Sequence, residues 1–146
     1  MLKKKIISGI LTMVTLLIIV STLSVSAVAQ DAIKYTNSTL NFSLTLPSSW
    51  AGRFKVNKDE NGVNFVSLRN EKAGYGGLLF GIEVHNKETD FPSEYTELLR
   101  AGGKYFYVVY PGDIPFAYED ASLTKEYNDM RKDIETILKT FRYTGK

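Results

Sequence analysis

The chain is 146 residues long, 44% hydrophobic and 23% charged, with no cysteine and a formal net charge of +2. This composition excludes a disordered tail, a collagen-like repeat, a disulfide framework and any thiolate metal site or cysteine nucleophile. The positive charge belongs to the first residues: beyond residue 29 there are 15 basic against 16 acidic residues in 117, a net charge of −1, without the basic footprint of a nucleic-acid binder.

Residues 1–29 read as an export signal. Met1 to Lys5 is a positively charged start and Ile6 to Val28 carries no charge. Ala27-Val28-Ala29 then places small residues at the −3 and −1 positions of a cleavage site before Gln30. The competing reading is an uncleaved membrane anchor, because the uncharged run could cross a hydrocarbon layer of roughly 30 Å. Ser21, Thr22, Ser24 and Ser26 make its second half polar and argue for cleavage. The expectation is a secreted protein whose residues 30–146 form one domain, membrane-bound only if the signal is retained.

Along that domain, Leu40, Phe42, Leu44 and Leu46 alternate with Asn41, Ser43 and Thr45, the period-2 signature of a half-buried strand. Pro47 ends the run and Trp50 follows it. Strands are expected from Arg53 to Lys58 and from Val63 to Arg69, joined at Asn61-Gly62, a hairpin pair whose residues tolerate positive φ. A fourth strand, Leu78 to His85, follows the flexible turn Gly74-Tyr75-Gly76-Gly77. Tyr95, Leu98 and Leu99 fall at i, i+3 and i+4 between Pro92 and Gly102-Gly103, which predicts a short helix. Lys104 to Tyr110 is an aromatic strand closed by Pro111-Gly112. Leu123, Tyr127, Met130, Ile134, Ile137 and Phe141 recur at steps of 4, 3, 4, 3 and 4, as in one long amphipathic helix. The predicted class is α+β: an antiparallel sheet of five or six strands with the long C-terminal helix and the short helix packed on it.

Chemical motifs are sparse. His85 is the lone imidazole, so a metal site would need carboxylates for its other ligands, which suits zinc poorly. Asn57-Lys58-Asp59-Glu60-Asn61-Gly62 follows part of a calcium-loop pattern, but it opens on Asn and carries Leu68 where a bidentate Glu is required. Gly103-Lys104 lacks the rest of a phosphate-binding loop, and Gly74-Tyr75-Gly76 precedes a strand rather than a helix. No G-x-S-x-G is present. A carboxylate pair such as glycoside hydrolysis needs is assembled in space, and Glu71, Glu83, Glu88 and Asp90 are its ordinary candidates. No cofactor and no metal are expected.

All 9 Tyr, 8 Phe and the single Trp lie beyond residue 29. Tyr105 and Tyr107 alternate with Phe106, Val108 and Tyr110 along one strand, and Phe116 and Tyr118 follow in a Pro-containing segment. If Phe106 faces the core, Tyr105 and Tyr107 project from the other face. With Tyr110, Phe116 and Tyr118 they form a candidate binding patch suited to a saccharide or an extended peptide; the competing reading places these rings in the core. Leu40-Asn41-Phe42-Ser43-Leu44-Thr45-Leu46-Pro47-Ser48-Ser49-Trp50 resembles a signature of small PsbP/Mog1-like domains, and of short exported proteins from Gram-positive bacteria. That resemblance implies a sheet with helices packed on it and transfers no site residues. The functional expectation is a non-enzymatic extracellular domain binding a protein or cell-envelope component through aromatic and Gly-rich loops. The alternatives are a small hydrolase or hydrolase accessory with a spatially assembled carboxylate site, and an assembly or inhibitory module acting through a sheet edge.

Overall fold

A computed structural model describes residues 31–88 and 90–146; the expected export signal, residues 1–29, lies outside the described residues. The predicted class holds, α+β, but the strands divide into two antiparallel sheets rather than one. β1 (Ile33–Asn37), β2 (Phe42–Leu46) and β8 (Arg142–Tyr143) form the smaller sheet, in the order β1-β2-β8. β3 (Phe54–Lys58), β4 (Gly62–Ser67), β5 (Leu78–His85), β6 (Tyr95–Ala101) and β7 (Lys104–Val109) form the larger, ordered β3-β4-β5-β7-β6. The helices are α1 (Leu68–Lys72), α2 (Ala121–Lys132) and α3 (Ile134–Lys139). Among the described residues no helix is long and apolar enough to cross a membrane.

The alternation at residues 40–46 becomes β2, whose Phe42, Leu44 and Leu46 are all buried. They join Phe65, Phe80, Ile82, Val84, Phe106 and Val108 from one face of the large sheet, and Trp50, in a single apolar cluster. Each such side chain contributes about 1.5–3 kcal/mol when fully buried. Phe65 and Phe80, paired across β4 and β5, stack with centroids 4.6 Å apart.

The predicted short helix is strand β6. Its Leu98-Leu99 pair imitates helical spacing because a bulge between Glu97 and Leu99 resets the strand's alternation and leaves both leucines half-buried. Gly102 and Gly103 are therefore the turn of a hairpin rather than a helix stop. Ala101 pairs with Lys104, and both glycines have positive φ, 58° and 71°, as a two-residue primed turn requires. A Cβ at Gly102 would lie 2.0 Å from the Tyr143 hydroxyl, so a side chain there would have to displace that tyrosine as well as adopt positive φ. Conversely, neither Asn61 nor Gly62 has positive φ. Their hairpin closes through Asp59, which donates its N–H to the Gly62 carbonyl (3.1 Å) and accepts the Asn61 N–H on its side chain (3.1 Å).

The long helix is bent into α2 and α3 at Asp133. The Asp133 N–H reaches Met130 O, a tightened i−3 bond, and its carboxylate accepts the Trp50 indole N–H at 3.0 Å. The apolar stripe survives the bend: Leu123, Tyr127, Met130, Ile134 and Ile137 are all buried, and Phe141 follows them into the core from beyond the helix end. The end of the predicted third strand is α1 instead, and β1, α1 and β8 have no counterpart in the sequence reading.

Candidate functional site

Four side chains share the outer face of the large sheet: Glu83 and His85 on β5, Tyr107 on β7 and Tyr95 on β6. Glu83 bridges two of them, one oxygen 3.0 Å from His85 Nε2 and the other accepting the Tyr95 hydroxyl at 3.0 Å. Burial, and then that bond, hold the Tyr95 phenol above its ordinary range. Phe91 lies over the group, stacked on Tyr95 (4.4 Å between centroids) and within 4.9 Å of both Tyr107 and His85. One carboxylate meets the imidazole. Among the described residues no group of three or more His, Asp or Glu side chains is placed to hold a metal. Asn57 and Asp59 of the partial calcium pattern serve the fold, Asn57 donating to Glu71 (3.2 Å) and Asp59 closing its hairpin.

The five aromatics singled out by the sequence fall in three places. Tyr105 and Tyr107 do share the outer face, yet Tyr107 is only 5% exposed beneath Phe91. Tyr105 is half-buried, with the Arg100 guanidinium 4.9 Å from its ring centre. Arg100 in turn is held by Glu97 (2.7 Å) and Glu88 (2.9 Å), which keep its proton firmly bound. Tyr110 and Phe116 are half-buried against the main core, Phe116 stacked on Tyr127 at 4.8 Å. Tyr118 is 63% exposed.

Tyr118 belongs to a surface that joins two loops distant in sequence, residues 73–77 after α1 and 110–120 before α2. Asn70, fully buried, holds the joint. Its side-chain amide donates to Ser67 Oγ (3.0 Å) and Leu123 O (3.3 Å), while its side-chain oxygen accepts the Ala117 N–H (2.8 Å). The Gly77 N–H crosses to Pro115 O at 2.8 Å, and the Ser67 N–H reaches Gly77 O at 2.7 Å. Gly77 is obligatory there: its φ is +72°, and a Cβ would sit 2.6 Å from Ser67 O. Asp120 caps α2 by accepting the Ser122 and Leu123 N–H groups (2.8 and 3.0 Å), and Thr124 Oγ1 donates to Ala117 O at 2.9 Å.

What this scaffold presents is apolar. Tyr75 meets Tyr118 edge to face, 6.3 Å between centroids. Ile114 and Tyr118 are 62% and 63% exposed, the exposed large hydrophobic side chains among the described residues. Sequence reading named Tyr118 and noted Gly74-Tyr75-Gly76-Gly77 as a turn, but missed Asn70, Tyr75 and Ile114 as members of one surface. The bonds that unite them span more than 35 positions, and no local pattern encodes them. No family model, no curated protein and no solved structure matches the chain. The resemblance to PsbP/Mog1-like domains thus gains no neighbour, and the α+β class rests on the elements themselves.

Proposed function

We propose that this is an exported, non-enzymatic binding domain that recognises a partner protein through the paired loops 73–77 and 110–120. The observation that carries the reading is the exposure of Ile114 and Tyr118 on a loop that buried Asn70 holds rigid. Apolar tips on a firmly tied backbone are ordered before any partner arrives, so little conformational entropy opposes association. Tyrosine adds a hydroxyl and a broad ring at low entropic cost. An exposed isoleucine beside it favours a protein over a saccharide, since it offers contact area but no hydrogen bond.

A photo-crosslinking residue placed at position 114 in producing cells should give a discrete adduct. Tyr118→Ala should abolish that adduct while changing stability by no more than about 0.5 kcal/mol, as surface substitutions do. A crosslinker at Lys34 serves as control. Equal adducts from both positions, or an adduct indifferent to Tyr118→Ala, would overturn the reading.

A further inference from the structure

The loop that carries Ile114 and Tyr118 is also acidic and contains no base. Between Tyr110 and Ala121 the chain holds Asp113, Glu119 and Asp120 and neither Lys nor Arg. All three acids are exposed. Glu94 adds a fourth, its carboxylate 3.4 Å from where a Cβ on Gly112 would stand.

Five carboxylates elsewhere have a Lys or Arg of their own, whereas Glu60 and Glu135, like the loop acids, make no ion pair among the described residues, so what sets the loop acids apart is their place beside Ile114 and Tyr118. Glu71 meets Lys55 at 2.8 Å, Glu126 meets Arg69 at 3.1 Å, Glu88 and Glu97 share Arg100, and Asp129 lies between Lys125 and Lys132. Asp113, Glu119 and Glu94 make no ion pair among the described residues, and Asp120 spends its carboxylate on backbone N–H groups. An apolar pair on a loop with unpaired acids and no base is complementary to apolar side chains flanked by Lys or Arg, and it repels a polyanion.

We infer that the partner segment seated on Ile114 and Tyr118 is cationic: a stretch of protein presenting aliphatic or aromatic residues between lysines or arginines. The inference rests on the reading of the paired loops as the recognition surface and adds the partner's charge to it. An anionic envelope glycan is the occupant it rejects.

The test titrates the purified protein with three synthetic peptides: one alternating Lys with Leu and Trp, one with Glu in place of each Lys, and one of Lys and Gly alone. The first should bind and shift the amide resonances of residues 74–77 and 113–120. Its affinity should fall about five-fold in the Asp113→Asn/Glu119→Gln double variant and again at raised salt, because exposed rim charges are worth little each and are screened. Tyr118→Ala should cost more than about ten-fold, as a contact at the centre of an interface does. If the Glu peptide binds as well, or if the double variant binds unchanged while Tyr118→Ala does not, the charge inference falls and the surface reading stands. Shifts mapping away from both loops overturn the two together. Absence of binding by all three peptides overturns the charge inference and leaves the crosslinking result to decide the surface.

Discussion

On the outer face of the large sheet Phe91, Tyr95, Tyr107 and His85 pack against one another, and Tyr107 keeps only 5% of its surface. At the loop end Tyr75 and Tyr118 meet edge to face, and Tyr118 keeps 63%. Both are aromatic clusters, yet one is closed and the other open. Cross-strand register brings side chains within about 5 Å of their neighbours, so rings on one sheet face cover each other once a further ring caps them. Loops run over the surface with their backbone polar groups bonded locally, and their side-chain tips are left to the solvent. Aromatic density in the sequence therefore locates contact, whereas exposure follows from whether a further ring covers the side chain: Phe116, on the same loop as Tyr118, is half-buried against Tyr127.

The contrast can be broken most severely at Asn70. Asn70→Ala removes three buried hydrogen bonds and strands the Ala117 N–H, and should cost about 3 kcal/mol in urea unfolding. Amide exchange at Gly77 and Ala117 should accelerate while Tyr95 and Tyr107 stay protected; equal acceleration in both regions would show that they are not separate.

A somewhat smaller effect lies beneath the loops. Tyr127 is fully buried under Phe116, its hydroxyl donates to the Leu78 carbonyl, and burial pushes its phenol from 10.0 up to about 12. The phenolate is disfavoured in the fold, so the unfolded chain ionises first. This stability is intact below pH 10 and is lost as pH rises toward 12, by about 2 kcal/mol. Tyr35, Tyr95 and Tyr110 are raised as well and act in the same direction. The urea midpoint should drop between pH 8 and pH 11, and less so in Tyr127→Phe; a flat midpoint would mean the phenol is not sheltered.

The smallest effect belongs to the closed cluster. Phe91→Ala should cost about 1–2 kcal/mol, since Phe91 is half-buried and loses three ring contacts. It should leave crosslinking from position 114 untouched. A lost adduct would place recognition on the outer face instead.

Much of the fold was legible locally. The period-2 run at Phe42, Leu44 and Leu46 and the stripe from Leu123 to Ile137 point where their periodicity directs them. Local pattern failed where two structures share a spacing. Leu98-Leu99 follows Tyr95 as in a helix, but a bulge in β6 produces the same interval. The two glycine-containing turns were misjudged in opposite directions. Gly102-Gly103 needs its positive φ, whereas Asn61-Gly62 dispenses with it because Asp59 supplies the closing bonds. Of the candidate site, Tyr118 was visible as an aromatic in a Pro-containing segment, and its partner Tyr75 only as part of a glycine turn.

The sequence by itself determined which residues are apolar, at what period, and hence which strands and helices must bury a face, because those properties depend on neighbours within a turn or two. It also determined the charge of each segment, including the acidic run from Asp113 to Asp120. Only the tertiary structure decided that the strands divide between two sheets, that Tyr107 is covered by Phe91, and that Gly77 and Pro115 share a hydrogen bond. Those outcomes turn on which distant groups meet in space, and that is settled by packing the whole core at once.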